Sequence, residues 1–420
     1  MSTTFLILVV GLMHAYLECM YALGPVLSLA EIQRVTFHEY RLIQFLAYTF
    51  HYFAGLIIYM IRNTSWGSHI TRTKYSSLIF SAGILLWLTG SVSSYYETGN
   101  HELFATLQII FTSGGSGLIY WESLYLLLWR DFTPNVTVKI CIVQMISHLY
   151  STFQIASKIA SIQTDAEDYT DLAKQIGTFG TIMICFGSSV LIFTTRDHKK
   201  KLLAGEISPA PSAPSSPSKS TLLGAGALVF LFYCFYYPTQ FMLVGSYRYE
   251  TGVRVEQLWL LFMFECSLIL GKGTFLIYRI AFAPFARSIS AVLIWLFGLV
   301  FATNVLLTPE IASYMEWSLI VILFGNMCGL FQAFMLSDLC RTDQRIGLGT
   351  YFTGAFFGSL ASSFIFNSPG IVYAWGYYLA SLSLVFGFGW LNLAYVLWYT
   401  RHREYEQAEE TFKFYIKKHD

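Results

Sequence analysis

The stretch Arg196-Asp-His-Lys-Lys-Lys201, followed by the run Ile207-Ser-Pro-Ala-Pro-Ser-Ala-Pro-Ser-Ser-Pro-Ser218, divides the sequence into two strongly apolar parts. Repeated proline and serine do not support a packed core, so residues 196–220 are predicted to form a flexible linker. Six apolar runs precede this linker and six follow it. Each run has roughly the 20 residues that a helix needs to cross the hydrocarbon core of a bilayer. The sequence therefore predicts an all-α membrane protein with about twelve transmembrane helices in two six-helix bundles.

The composition excludes a water-soluble protein. Of the 420 residues, 55% are hydrophobic and only 12% are charged, whereas a typical soluble domain carries about 25% charged residues. This small charged fraction leaves too few polar side chains to cover a surface in contact with water. The lipid bilayer is the expected surrounding, and the net charge of +1 gives no basis for a nucleic-acid partner.

Polar breaks set the limits of the predicted spans. The N-terminal bundle covers residues 1–195, the linker 196–220, the C-terminal bundle 221–400 and a tail 401–420. The individual spans lie near residues 5–28, 40–61, 76–97, 103–129, 138–161, 174–195, 221–246, 256–278, 288–308, 313–337, 346–366 and 371–399.

The basic residues indicate the orientation in the membrane. With these spans, nineteen of the 26 Lys and Arg residues lie on the side of the linker and the tail, four lie on the opposite side and three lie within spans. Cytosolic loops carry an excess of Lys and Arg. Both termini and the linker are therefore predicted to be cytosolic.

Six spans, a basic cytosolic linker, six more spans and two cytosolic ends resemble the major facilitator superfamily of secondary transporters. Residues 324–358, which include Ser337-Asp-Leu-Cys-Arg-Thr-Asp-Gln-Arg345 and Gly354-Ala-Phe-Phe-Gly358, are similar to that family's tenth span, short basic loop and glycine-rich eleventh span. The family's acidic signature loop after the second span is absent, and the segment from Arg62 to Lys74 in its place contains no acidic residue. The resemblance implies two related bundles around a central site, but it assigns no functional residue.

Polar residues on the fifth span form the clearest candidate site. At about 100° per residue, Gln144, His148, Ser151, Gln154 and Lys158 fall within an arc of roughly 120°. Polar side chains within a membrane are costly unless they face a cavity or a partner. This pattern predicts that the fifth span lines a central cavity and contacts a solute.

Other polar residues within the spans extend the candidate site. In the first span His14 and Glu18 lie one helical turn apart, and Glu265 and Lys272 lie two turns apart in the eighth span. The remaining candidates are His51, Glu122, Gln240, Asn326 and Gln332.

Two chemical roles are open for these groups. A buried carboxylate next to a histidine binds and releases a proton as its exposure changes, so His14, Glu18 and Glu122 are candidates for proton coupling. The alternative for His14 and Glu18 is a static hydrogen bond. Lys158 and Lys272 either neutralise an anionic solute or pair with Glu265 or Glu122 to hold the bundle together.

The sequence favours a secondary transporter of a small polar or anionic solute across an internal membrane. A non-transporting bundle that escorts or anchors other membrane proteins is the main alternative. A membrane-embedded transferase is less favoured, because the lumenal segments are short and contain no Asp-x-Asp cluster. No cysteine or histidine spacing resembles a metal site, and no cofactor is predicted.

The C-terminus carries a candidate address signal. The chain ends Ile416-Lys-Lys-His-Asp420, which places Lys417 and Lys418 at the third and fourth positions from the end. This spacing matches the dilysine signal by which coat proteins retrieve eukaryotic membrane proteins to the endoplasmic reticulum. The endoplasmic reticulum membrane is the predicted location, with another endomembrane or the plasma membrane as alternatives.

Overall fold

The computed structural model describes residues 4–17, 37–63, 72–93, 101–130, 136–162, 169–206, 219–245, 254–281, 314–341 and 344–365. Within these ranges the chain forms ten α-helices and no strand. This is the arrangement expected in lipid, where a helix satisfies its own backbone hydrogen bonds. In chain order the helices are α1 Thr4–Leu17, α2 Phe37–Asn63, α3 Arg72–Ser93, α4 His101–Arg130, α5 Val136–Ile162, α6 Tyr169–Leu203, α7 Lys219–Gly245, α8 Arg254–Ala281, α9 Tyr314–Arg341 and α10 Gln344–Ile365.

These helices coincide with ten of the predicted spans, and the prediction of a multi-span helical bundle is confirmed. The segments Thr178–Leu203, Trp259–Leu276 and Tyr314–Ala333 are each long and apolar enough to cross a membrane by composition alone. The ninth span, the twelfth span, the end of the first span and the C-terminal tail lie outside the described residues. The count of twelve and the side of each terminus stay predictions.

Several helices extend beyond the predicted limits. Helix α6 continues to Leu203, so the first eight residues of the predicted linker are helical. Lys201 pairs with Asp197 one turn earlier, with 3.0 Å between Nζ and Oδ2, and cations are favourable at a helix C-terminus. Helix α2 continues to Asn63, which places Arg62 in a helix and not in the predicted loop.

The two halves of the chain are built from equivalent helix pairs. In the first half α1 packs on α5, where Gly11 meets Ile146, and α2 packs on α4. In the second half the corresponding spans, α7 with α10 and α8 with α9, pack in the same way. The halves meet where α2 packs on α10 and α5 packs on α8. This is the internal repeat expected of two related bundles around a central interface.

Glycines permit the close approach of helix backbones. A Cβ atom added to Gly117 on α4 would meet the His51 carbonyl oxygen on α2, and one added to Gly358 on α10 would meet the Phe230 carbonyl oxygen on α7. Small residues allow such contacts between helices in membranes. Gly117 belongs to the stretch Ser113-Gly-Gly-Ser-Gly117 and Gly358 to Gly354-Ala-Phe-Phe-Gly358, whose small residues are typical of close helix packing.

Candidate functional site

An ionisable pair joins the two halves at the α5–α8 interface. The Nδ1 atom of His148 lies 2.8 Å from Oε2 of Glu265, and the side chains are only 13% and 7% exposed. Removing either side chain would leave the other buried without its partner, so this contact links the two bundles. The pair also brings together two of the sequence candidates, which lie 117 residues apart.

The inward face of α5 carries buried polar groups. Gln144, Ser147 and Ser151 are all buried. Among the described residues, no group forms a hydrogen bond with Gln144 Oε1, Ser147 Oγ or Ser151 Oγ. On the opposite side of the helix, Leu149 and Phe153 are 62% and 66% exposed. The polar face of α5 therefore points into the bundle and the apolar face points outward.

An aromatic cluster from both halves lies at the other interface. The ring of Tyr52 on α2 is 4.7 Å from that of Tyr233 on α7, and Trp121 on α4 is 4.7 Å from Phe352 on α10. The hydroxyls of Tyr233 and Tyr351 are hydrogen-bonded to each other. The indole Nε1 of Trp121 is buried and has no hydrogen-bonding partner within the described part of the chain. Such rings offer an apolar face together with a polar tip.

His14 is held by α4. Its Nε2 lies 2.5 Å from Ser123 Oγ, and its ring stacks on Tyr120 with 3.8 Å between centroids. Ser123 Oγ also lies within hydrogen-bonding distance of the Tyr120 carbonyl, at 2.8 Å. These contacts favour the static alternative for His14. Glu18 lies outside the described residues, so the predicted His14–Glu18 pair stays a prediction.

His51 on α2 also contacts the Tyr120 ring. The ring centroids of His51 and Tyr120 are 5.3 Å apart, and those of His51 and Trp121 are 5.4 Å apart. His51 is therefore next to the aromatic cluster, where the sequence predicts a contact with solute.

Glu122 forms an ion pair with Arg62 of α2. The guanidinium of Arg62 also lies 4.0 Å from the ring centroid of Tyr125 and 3.4 Å from Ser76 Oγ. Since these groups come from α2, α3 and α4, the contacts hold three helices of the first half together. The proton-coupling role predicted for Glu122 stays a prediction.

The other sequence candidates occupy different environments. Lys272 is almost fully buried on α8, and the next residue, Gly273, faces Met145 of α5. Gln154, Asn326 and Gln332 are half-buried. The side chains of Lys158, Gln240, Lys417 and Lys418 lie outside the described residues.

The sequence reading missed several residues at these interfaces. Arg62 was assigned to a loop, although Glu122 near the cytosolic end of a neighbouring span needed a cation. Ser147 falls inside the 120° arc of the polar residues on α5 and was identifiable from the same periodicity. Tyr52, Trp121 and Tyr351 gave no such signal, because aromatic residues are common throughout the sequence. The described residues contain no group of three or more His, Cys, Asp and Glu side chains that could hold a metal ion.

The architecture of two halves built from equivalent helix pairs has counterparts among solved structures. The chain is similar to the xylose transporter XylE from E. coli in a partially occluded inward-open conformation, with a TM-score of 0.60 and 10% identity over 94% of this chain and 99% of that one. It is also similar to the proton:xylose symporter XylE bound to 6-bromo-6-deoxy-D-glucose, with a TM-score of 0.60 and 11% identity over 95% of each chain. No family model and no curated protein matches the chain by sequence. The similarity therefore establishes the architecture.

Proposed function

We propose that the protein is a secondary transporter of a small polar solute across an internal membrane. The observation that carries this proposal is the set of buried polar atoms on α5 for which the described residues offer no hydrogen-bonding partner, next to an interface between two equivalent bundles. Buried polar atoms of native proteins are normally hydrogen-bonded to protein or to ordered water. A polar solute, or the water that it displaces, would satisfy them.

The chemistry of these atoms favours a neutral solute that donates and accepts hydrogen bonds. Gln144 Oε1 accepts, the Ser147 and Ser151 hydroxyls donate or accept, and Trp121 Nε1 donates. Glu265 already has a partner in His148. The aromatic cluster would cover an apolar face of the solute. The xylose transporter that shares this architecture carries a solute of this kind.

The proton is the coupling ion in this proposal. His148 and Glu265 are two titratable groups that join the bundles, so a change in their protonation would alter the attraction between the halves. A pure escort protein would have no need for a titratable pair or for unsatisfied polar atoms at its centre. Apolar replacements there would leave an escort intact.

A thermal-shift screen of neutral metabolites on the purified protein tests the proposal. A solute at 100 times its Kd stabilises the native state by about 2.7 kcal/mol. We expect Gln144→Leu and Ser151→Ala each to weaken its binding by about 2- to 10-fold, because each removes one hydrogen bond. Ser189→Ala is the matched control, since Ser189 is exposed and donates to Cys185 of its own helix. If no metabolite shifts the wild type, or if Gln144→Leu binds equally well, this site is wrong.

The internal location has a separate test at the C-terminus. Replacing Lys417 and Lys418 with serine is expected to move the full-length protein forward along the secretory pathway, because the coat would no longer recognise the tail. Imaging against markers of the endoplasmic reticulum and the plasma membrane measures the change. Replacing Lys413 alone is the control. An unchanged distribution of the double variant would show that the lysine pair is not a retrieval signal.

A further inference from the structure

Helix α6 is too long to lie wholly within the hydrocarbon core. Its 35 residues measure about 52 Å at 1.5 Å per residue, against a core of roughly 30 Å. The apolar segment begins at Thr178, so a core of roughly 30 Å measured from there ends near His198. The cations of residues 196–201 therefore lie at or just beyond the end of the core, where long Lys and Arg side chains reach the headgroups.

This last part of α6 carries four cations, of which one is neutralised within the helix. Lys201 pairs with Asp197 at 3.0 Å. For Arg196, Lys199 and Lys200, no ion-pair partner exists among the described residues. Arg196 and Lys200 are exposed and Lys199 is half-buried. Three positive charges thus remain available to an external anion.

The three cations share one face of the helix with apolar side chains. At about 100° per residue, Phe193, Arg196, Lys199, Lys200 and Leu203 fall within an arc of about 120°. Phe193 is 72% exposed and Leu203 is 78% exposed. Lys201 and Asp197 lie off this face. An exposed apolar residue one turn below a set of cations is the pattern of a helix that contacts acyl chains and headgroups together.

We propose that the face formed by Phe193, Arg196, Lys199, Lys200 and Leu203 binds anionic phospholipid headgroups of the cytosolic leaflet. The charges are complementary, since basic clusters that directly follow a transmembrane helix on the cytosolic side attract anionic lipids. The ring of Phe193 contacts the upper acyl chains, while the cations reach the phosphate groups above it. Bound lipid would anchor the end of the first bundle at the point where the chain leaves the membrane.

The test measures lipid binding by the full-length protein in neutral detergent. Native mass spectrometry with added phosphatidylserine or phosphatidylcholine reports the number of retained lipids and their affinity. We expect the wild type to retain phosphatidylserine preferentially. The variant R196Q/K199Q/K200Q is expected to lose about 100-fold in affinity for phosphatidylserine, because each of the three cations near a membrane surface contributes about fivefold.

The neighbouring ion pair supplies a matched control. D197N/K201Q leaves the net charge and the three proposed contacts unchanged, so it should retain phosphatidylserine as the wild type does. If the triple variant does not purify as a folded protein, Lys200→Gln alone should still weaken binding several-fold. Equal retention of both lipids by the wild type, retention by the charge variants, or equal loss in D197N/K201Q would each overturn the assignment. None of these outcomes depends on transport, so the proposed function is tested separately.

Discussion

Replacing Glu265 with glutamine is expected to abolish uphill accumulation of solute while leaving exchange in place. Glutamine keeps the size and a hydrogen bond to His148, but it does not titrate. A transporter that uses this pair for coupling would then still bind solute and change conformation, without a link to the proton gradient. Proteoliposomes that contain the solute found by thermal shift measure both activities, with an imposed pH gradient for uptake and without one for exchange.

One control makes the same change of charge at a different position, and a second variant changes the other member of the pair. Glu206→Gln makes the same chemical change at an exposed residue beyond the end of α6, and it should leave accumulation unchanged. His148→Gln removes the other titratable member of the pair and should have the same effect as Glu265→Gln. Full concentrative uptake by the Glu265→Gln protein would contradict the coupling role. In that case Glu18→Gln and Glu122→Gln test the two carboxylates that the sequence predicts for proton coupling.

Replacing Gly329 with alanine is expected to lower the stability of the protein by about 1–3 kcal/mol or more, the usual cost of overpacking. The new Cβ would meet the backbone carbonyl oxygen of Leu268 on α8. A backbone group has no rotamer that moves it aside, so α8 and α9 would have to separate. This separation would also shift Glu265, which lies one turn before Leu268. The melting temperature of the purified protein in detergent measures the effect.

Gly224→Ala is the matched control because a Cβ on Gly224 of α7 would meet no atom within 4 Å. Alanine favours a helix over glycine by roughly 0.5–1 kcal/mol, so this variant should be as stable as the wild type or slightly more stable. The two substitutions are chemically identical, but one is expected to lower the melting temperature and the other to leave it unchanged or raise it slightly. Equal melting temperatures for the two variants would show that the α8–α9 backbone contact does not limit stability.

The sequence by itself determined the helical class and most of the helix positions. Lipid does not satisfy backbone hydrogen bonds, so each crossing of the membrane needs an apolar helix of roughly 20 residues. Such a helix can be recognised from its own stretch of sequence, without knowledge of its neighbours. The arc of Gln144, His148 and Ser151 was also visible, because helical periodicity is a local property. The glycines of residues 113–117 and 354–358 likewise indicated where helices approach closely.

Only the tertiary structure decided which groups meet. His148 pairs with Glu265 on the other bundle, and Glu122 pairs with Arg62, which the sequence placed in a loop. The aromatic cluster joins Tyr52, Trp121 and Tyr233 from three helices. Periodicity defines a face of one helix and contains no information about the helix opposite. The partner is set by the packing of all helices at once, which depends on side-chain volumes and close backbone contacts along the whole chain.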